Sequence, residues 1–123
     1  MARSPKPKEL RVGPVTYFRS TGHQCGVDGS CREIVSVRHA DASGPGLRVT
    51  FAASPGHLVG DHLLHRGGVV RARDDVYLNL HRPAVVRALL DEAIAQGWDT
   101  RSPLDLDGWS LMDAVLTRLN HPQ

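Results

Sequence analysis

The sequence contains no long hydrophobic run and no segment typical of export signals. Its apolar stretches are shorter than a membrane-spanning helix, and the N-terminal segment MARSPKPKEL is polar and interrupted by proline where a signal peptide needs apolar residues. We therefore expect a cytoplasmic protein with no membrane partner. Internal repeats are also lacking, and 123 residues suffice for one hydrophobic core. Residues 10–120 are expected to form a single domain, preceded by a flexible basic arm of residues 1–9.

Aromatic residues are few, with two each of Phe, Trp and Tyr, and the arginines are scattered along the chain. A nucleic-acid-binding face usually combines clustered basic residues with exposed aromatic rings. Here only Tyr17 and Phe18 lie near the basic residues of the N-terminal half. Nucleic acid is therefore not an expected partner.

Charge is divided unevenly along the chain, although the formal net charge is only +2. Up to Arg73 there are eleven basic and five acidic residues, and from Asp74 onward there are four basic and eight acidic residues. If the two parts form different layers, a basic sheet would face away from an acidic helical layer and could steer a charged partner. Alternatively, the opposite charges pair where the layers meet.

The last third of the chain predicts two helices. Pro83 suits the first position of a helix, and Gly97 suits the residue that closes one. A second helix is predicted from Gly108 to Leu119, capped by Asp107 and ended by Asn120. The apolar residues recur at three- and four-residue spacing, as buried helix faces do: Val86, Leu89, Leu90, Ala93 and Ile94 in the first helix, and Met112, Val115, Leu116 and Leu119 in the second.

Upstream of the helices, short alternating segments predict β-strands. Val35 and Val37 alternate with polar residues, as do Leu47, Val49 and Phe51, and the segment ASGPG at residues 42–46 predicts the turn of a hairpin. Further strands are expected at residues 10–19, broken by Gly-Pro, and in a pair at residues 69–71 and 76–80. The predicted fold is α+β: a small antiparallel sheet of four or five strands with two C-terminal helices packed on one face.

The loop GHQCGVDGSC at residues 22–31 holds both cysteines and a histidine. Free thiols are the default state in a reducing cytoplasm, but a disulfide or a metal site is also open to this loop. His23, Cys25 and Cys31 offer three ligands to zinc, although their spacing matches no close-paired cysteine motif. An enzyme could use Cys25 or Cys31 as a nucleophile with a histidine as base, but the flanking residues match no known nucleophile signature.

A second histidine-rich segment, SPGHLVGDHLLHRGG, covers residues 54–68. If residues 58–65 form a helical turn, His62 and His65 share one face and Asp61 could orient one of the imidazoles. A fourth zinc ligand would come from one of these histidines, from His57 or from His39. The glycines at both ends instead favour an exposed loop.

The tail VYLNLHRPAVVRALLDEAIAQGWD, followed by LDLDGWSLM, resembles the C-terminal part of small uncharacterised bacterial α+β proteins. The resemblance covers about the last third of the chain and falls on strand, cap and core positions. It implies a shared scaffold and no particular activity.

Small size, the absence of a catalytic motif and the uneven charge favour a non-enzymatic protein-binding module, of the immunity, antitoxin or regulatory-partner type. We expect its partner to be another protein, and we expect no cofactor. The alternative is a zinc-binding or metal-dependent protein that uses the cysteine loop and nearby histidines. Its candidate ligands are His23, Cys25, Cys31, His62 and His65.

Overall fold

The structure is a computed structural model, and it describes residues 7–60 and 67–120. Within these ranges the chain forms two sheets and two α-helices. The strands are β1 (Lys8–Val12), β2 (Val15–Cys25), β3 (Cys31–His39), β4 (Leu47–Ala52), β5 (His57–Val59), β6 (Gly68–Arg71), β7 (Val76–Asn79) and β8 (Leu104–Asp107). The helices are α1 (Pro83–Ala95) and α2 (Gly108–Asn120). The predicted α+β class and both C-terminal helices are confirmed.

The larger sheet has the strand order β1-β2-β3-β4-β8. Its first four strands form an antiparallel meander, and residues 42–46 join β3 to β4 as the sequence predicted. The sheet is mixed, however, because β8 pairs with β4 in parallel. Parallel pairing needs a long crossover, and here the chain between the two strands contains the second sheet and α1. The LDLD segment was not predicted as a strand, because Asp107 was interpreted only as a helix cap.

The smaller sheet, β5-β6-β7, is antiparallel. Its β6-β7 pair is the one predicted from residues 69–71 and 76–80, and a short 3-10 turn with Asp75 in the left-handed conformation (φ 57°) connects the two strands. Leu58 lies in β5, so no helical turn begins there. The first predicted strand likewise splits into β1 and β2 at Gly13, whose φ is 59°.

Helix α1 ends as its sequence predicts. Gln96 is the C-cap, Gly97 takes a φ of 108°, and the N–H of Trp98 donates to the carbonyl of Ala93 at 3.0 Å. A second bond from Gly97 N–H to the Ile94 carbonyl, at 2.9 Å, completes a Schellman motif. The predicted burial of Ile94 is wrong, since its side chain is 39% exposed. It lies on the rim of the buried stripe, where the helix turns toward solvent.

Both helices pack with the large sheet in one core. Alternation along β3 and β4 points Val35, Val37 and Val49 inward, and all three are almost fully buried. In α2, the carboxylate of Asp107 accepts a hydrogen bond from the backbone of Trp109 at 3.3 Å, which is the cap predicted from the sequence. Because side chains alternate along a strand, the inner face of β2 and β3 continues past this core to the end of the hairpin that holds the cysteines.

Candidate functional site

Four chemically active side chains lie together on the inner face of the β2-β3 hairpin. His23 and Cys25 are two residues apart on β2, and Cys31 and Glu33 are two residues apart on β3. Side chains two residues apart on a strand point to the same face. The antiparallel register pairs His23 with Glu33 and Cys25 with Cys31, so the four side chains occupy two adjacent cross-strand positions. We call these four residues the hairpin cluster.

The two cysteines form a disulfide, with a Cα–Cα distance of 4.0 Å. Free thiols, the default expectation for a reducing cytoplasm, are therefore not the state in this structure. The paired strands on either side of residues 26–30 place Cys25 and Cys31 opposite each other. Cys25 is exposed and Cys31 is half-buried against the core, so the Cys25 sulfur is the more accessible of the two.

Glu33 is the unexpected member of the cluster. Its side chain is fully buried, and its Oε1 lies 2.5 Å from Nδ1 of His23. Among the described residues, the other carboxylate oxygen, Oε2, has no hydrogen-bond partner. A carboxylate can only accept hydrogen bonds, so its contact places the imidazole proton on Nδ1. Glu33 therefore orients the ring and leaves Nε2 of His23 as the nitrogen available for chemistry.

Nε2 of His23 faces the sulfur of Cys25 at 3.1 Å. The imidazole is thus held between a buried carboxylate on one side and a sulfur on the other. A base oriented by a carboxylate beside a cysteine sulfur is the arrangement that activates thiols in enzymes. The sequence analysis missed Glu33, although it lies two positions after Cys31, because it becomes a partner of His23 only through the pairing of β2 with β3.

The loop between the cysteines is a tight turn. Gly26 N–H donates to the carbonyl of Ser30 at 2.7 Å, and Gly29 has a φ of 84°. The carboxylate of Asp28 accepts hydrogen bonds from the hydroxyl and the backbone N–H of Ser30, and these bonds lower the pKa of Asp28. Val27, at the tip, is fully exposed. The disulfide therefore closes a small, ordered loop that presents an apolar side chain to solvent.

A surface depression of about 450 Å³ adjoins the disulfide. Both cysteines contribute to its lining, together with residues of the neighbouring strand ends and loop: Gln24, Gly26, Ser30, Arg32, Ala52 and Ala53. The disulfide therefore lies at the wall of the depression.

The structure brings some of the predicted zinc ligands together. Within residues 7–60 and 67–120, His23, Cys25 and Cys31 form a cluster whose potential ligand atoms all lie within 4.8 Å of one another. His62 and His65, with Asp61, lie outside the described residues. His39 and His57 are not members of this cluster; the ring of His57 instead contacts that of Trp109, with centroids 4.5 Å apart and planes tilted by 50°, and its Nδ1 lies 2.9 Å from the hydroxyl of Ser54. Three of the proposed ligands are thus brought together, and all three come from the hairpin.

A second buried charge lies away from the hairpin cluster. Arg71, on β6, makes two hydrogen bonds to Asp74, at 3.0 and 2.6 Å, and one to Asp113 of α2 at 2.7 Å. These hydrogen bonds raise the pKa of Arg71, and the bonds from Arg71 lower the pKa of Asp74. The guanidinium ties the small sheet to α2 and has a structural role.

The small sheet also carries an apolar row on its outer face. Leu58, Val70 and Tyr77 occupy matching positions on β5, β6 and β7, and Leu58 and Tyr77 are 45% and 51% exposed. On the large sheet, by contrast, Tyr17 is buried and Phe18 lies under the guanidinium of Arg38, 4.8 Å from the ring centroid. These two rings do not form an open stacking platform of the kind that binds single-stranded nucleic acid.

Within the ranges that the structure describes, none of the helices has the length and hydrophobicity needed to cross a membrane. No protein-family model, curated protein or solved structure matches this chain. The resemblance of the tail to small bacterial proteins therefore stays an expectation.

Proposed function

We propose that the chain is a redox-responsive protein-interaction module, in which the Cys25–Cys31 pair exchanges disulfides with a protein partner. The observation that carries the proposal is the position of His23, held by buried Glu33 with its free ring nitrogen 3.1 Å from the sulfur of Cys25. A disulfide that only stabilises the fold needs neither a base beside it nor a buried carboxylate to orient that base.

The exchange uses the two cysteines in different roles. In the dithiol form, Nε2 of His23 takes the proton of Cys25, and the thiolate attacks a disulfide of the partner. One partner sulfur leaves as a thiolate and is protonated by His23, while a mixed disulfide forms at Cys25. Cys31 then attacks the Cys25 sulfur and transfers its own proton to the second partner sulfur. The products are the Cys25–Cys31 disulfide and a partner dithiol, so two electrons pass to the partner.

The surroundings of the sulfurs favour a protein as the partner. The exposed Val27 and the depression beside the disulfide offer apolar and polar contacts on either side of Cys25. A cytoplasmic location, which we retain as part of the proposal, fits a pair that cycles, because disulfides in reducing compartments are usually transient and catalytic or redox-sensing.

The test measures the reactivity of Cys25 in the reduced protein. The variant Cys31→Ser isolates the Cys25 thiol, and adding His23→Asn removes the ring nitrogen that faces it while keeping an N–H donor for Glu33. We expect iodoacetamide to alkylate Cys25 at least about tenfold more slowly in the double variant, because the adjacent base is lost. Cys31→Ser should also form a persistent mixed disulfide with glutathione disulfide, detectable by intact mass.

The matched control is Ser20→Ala in the Cys31→Ser background. Ser20 lies three residues before His23 on the same strand, its side chain points to the opposite face, and it does not line the depression. Its replacement should leave the alkylation rate unchanged. Equal rates with and without His23, together with no mixed disulfide, would contradict the proposed function.

A further inference from the structure

The hairpin cluster contains a set of metal ligands that the disulfide conceals. Two thiolates and one imidazole become available when the disulfide is reduced, and their atoms already lie within 4.8 Å of one another. Thiolate sulfur and imidazole nitrogen are the ligands that zinc prefers. Because His23, Cys25 and Cys31 all project from the inner face of one hairpin, their backbone is fixed by strand pairing before any metal arrives.

The distances fit a tetrahedral zinc ion after small side-chain rotations. With Zn–S bonds of about 2.3 Å and a Zn–N bond of about 2.0 Å, tetrahedral geometry needs the sulfurs about 3.8 Å apart and the nitrogen about 3.5 Å from each sulfur. The nitrogen of His23 now lies 3.1 Å from the sulfur of Cys25. The Cα atoms of the two cysteines are 4.0 Å apart. Once the disulfide is broken, the two sulfurs can move apart by side-chain rotation.

Glu33 gives the independent observation that points to a metal. Histidines that bind zinc usually donate their second ring N–H to a carboxylate, which fixes the ring and strengthens the ligand. Glu33 makes that contact with Nδ1 of His23 from a fully buried position, leaving Nε2 directed toward the sulfurs. A buried carboxylate is costly to place in a protein core, and neutralisation of nearby positive charge offsets that cost.

We propose that the reduced protein binds one zinc ion through Nε2 of His23 and the sulfurs of Cys25 and Cys31, with Glu33 orienting the imidazole. The fourth position opens toward the depression beside the cysteines, where water completes the coordination. Disulfide formation removes both sulfur ligands, so the oxidised protein and the zinc-bound protein exclude each other. This inference rests on the proposed function only in requiring that the pair can be reduced.

The experiment compares zinc binding by the full chain before and after reduction with a phosphine reductant, using a chromophoric zinc chelator as competitor. We expect about one equivalent bound after reduction and none before it. Cobalt(II) added to the reduced protein should give the absorption bands of a tetrahedral thiolate site. Cys25→Ser should abolish that signal, and Glu33→Gln should weaken zinc binding about 10- to 100-fold.

Ser20→Ala, on the opposite face of the same strand and outside the lining of the depression, should bind zinc as the wild type does. Failure of the reduced wild-type protein to compete for zinc would overturn the inference, as would unchanged affinity in Cys25→Ser. Because the wild-type comparison needs no variant to fold, the result stands even if Glu33→Gln is unstable. Chemical reduction also separates this test from thiol exchange: the protein can bind zinc without exchanging disulfides, or exchange disulfides without binding zinc.

Discussion

Replacing His23 by leucine should destabilise the protein far more than a similar substitution at an exposed position on a strand. The substitution leaves Glu33 fully buried with neither of its carboxylate oxygens bonded to any described residue. Removing one partner of a buried ionic or charge-assisted pair costs about 3–5 kcal/mol, because the remaining charge is desolvated without compensation. The His23 side chain is only 13% exposed, so water can replace little of the lost contact.

The magnitude can be separated into its parts with a double-mutant cycle. Glu33→Met should cost only about 1 kcal/mol, since it removes the buried carboxylate itself and leaves one N–H donor of His23 without its partner. The double variant, His23→Leu with Glu33→Met, replaces the whole pair by apolar side chains and should lie within about 1 kcal/mol of the wild type. The two substitutions should therefore be non-additive by at least about 3 kcal/mol.

Urea denaturation of the oxidised protein gives the free energies of unfolding for this cycle. Ser20→Ala is the matched control, because it removes a polar group from the same strand but on the face opposite Glu33. It should change stability by less than about 0.5 kcal/mol. Additive effects of the two substitutions, or a loss below about 1 kcal/mol in His23→Leu, would show that Glu33 does not depend on His23 and would refute the reasoning.

Three further predictions concern stability. Reducing the disulfide should lower the free energy of unfolding by about 2 kcal/mol, measured by urea denaturation with and without reductant, because the closed loop spans a separation of only six residues. Gly108→Ala should cost about 1–3 kcal/mol by the same assay, since its Cβ would clash with the ring of Phe51, whereas Gly22→Ala, with open space around it, should be nearly neutral. The hydrogen bonds from Arg71 lower the pKa of Asp74, so their contribution to stability is complete above the unfolded-state pKa of about 4 and is lost as pH falls through the lower folded-state pKa. The acid side of a stability–pH curve should therefore flatten in Asp74→Asn, and an unchanged curve would contradict this assignment.

The helices could be predicted closely because their signals are local. Pro83 and Gly97 mark the two ends of α1, and the buried stripe follows from spacing along a single segment. Ile94 was misplaced because spacing alone cannot show where the sheet stops covering a helix face. The parallel strand β8 was missed because its pairing is also non-local: its four residues form a strand by pairing with β4, far away in the sequence.

For the candidate site, too, the local sequence could be interpreted but the geometry could not. From its sequence alone, the loop could be recognised as a place where two cysteines and a histidine come together, but its redox state and its geometry were open. The signal that could have found Glu33 was alternation: on an antiparallel hairpin, His-x-Cys on one strand and Cys-x-Glu on the next must face the same way. Using that signal required knowing that residues 22–25 and 31–33 are strands paired in register, which the glycines of the loop obscured.

The sequence by itself determined the α+β class, the two helices with their caps, and the alternation that builds the inner face of the sheet, because each depends on interactions within a few residues. Only the tertiary structure decided the pairing of Cys25 with Cys31, the burial of Glu33 and the orientation of His23. These depend on strand register and on which face the helices cover, and both are set by contacts between segments far apart in the chain.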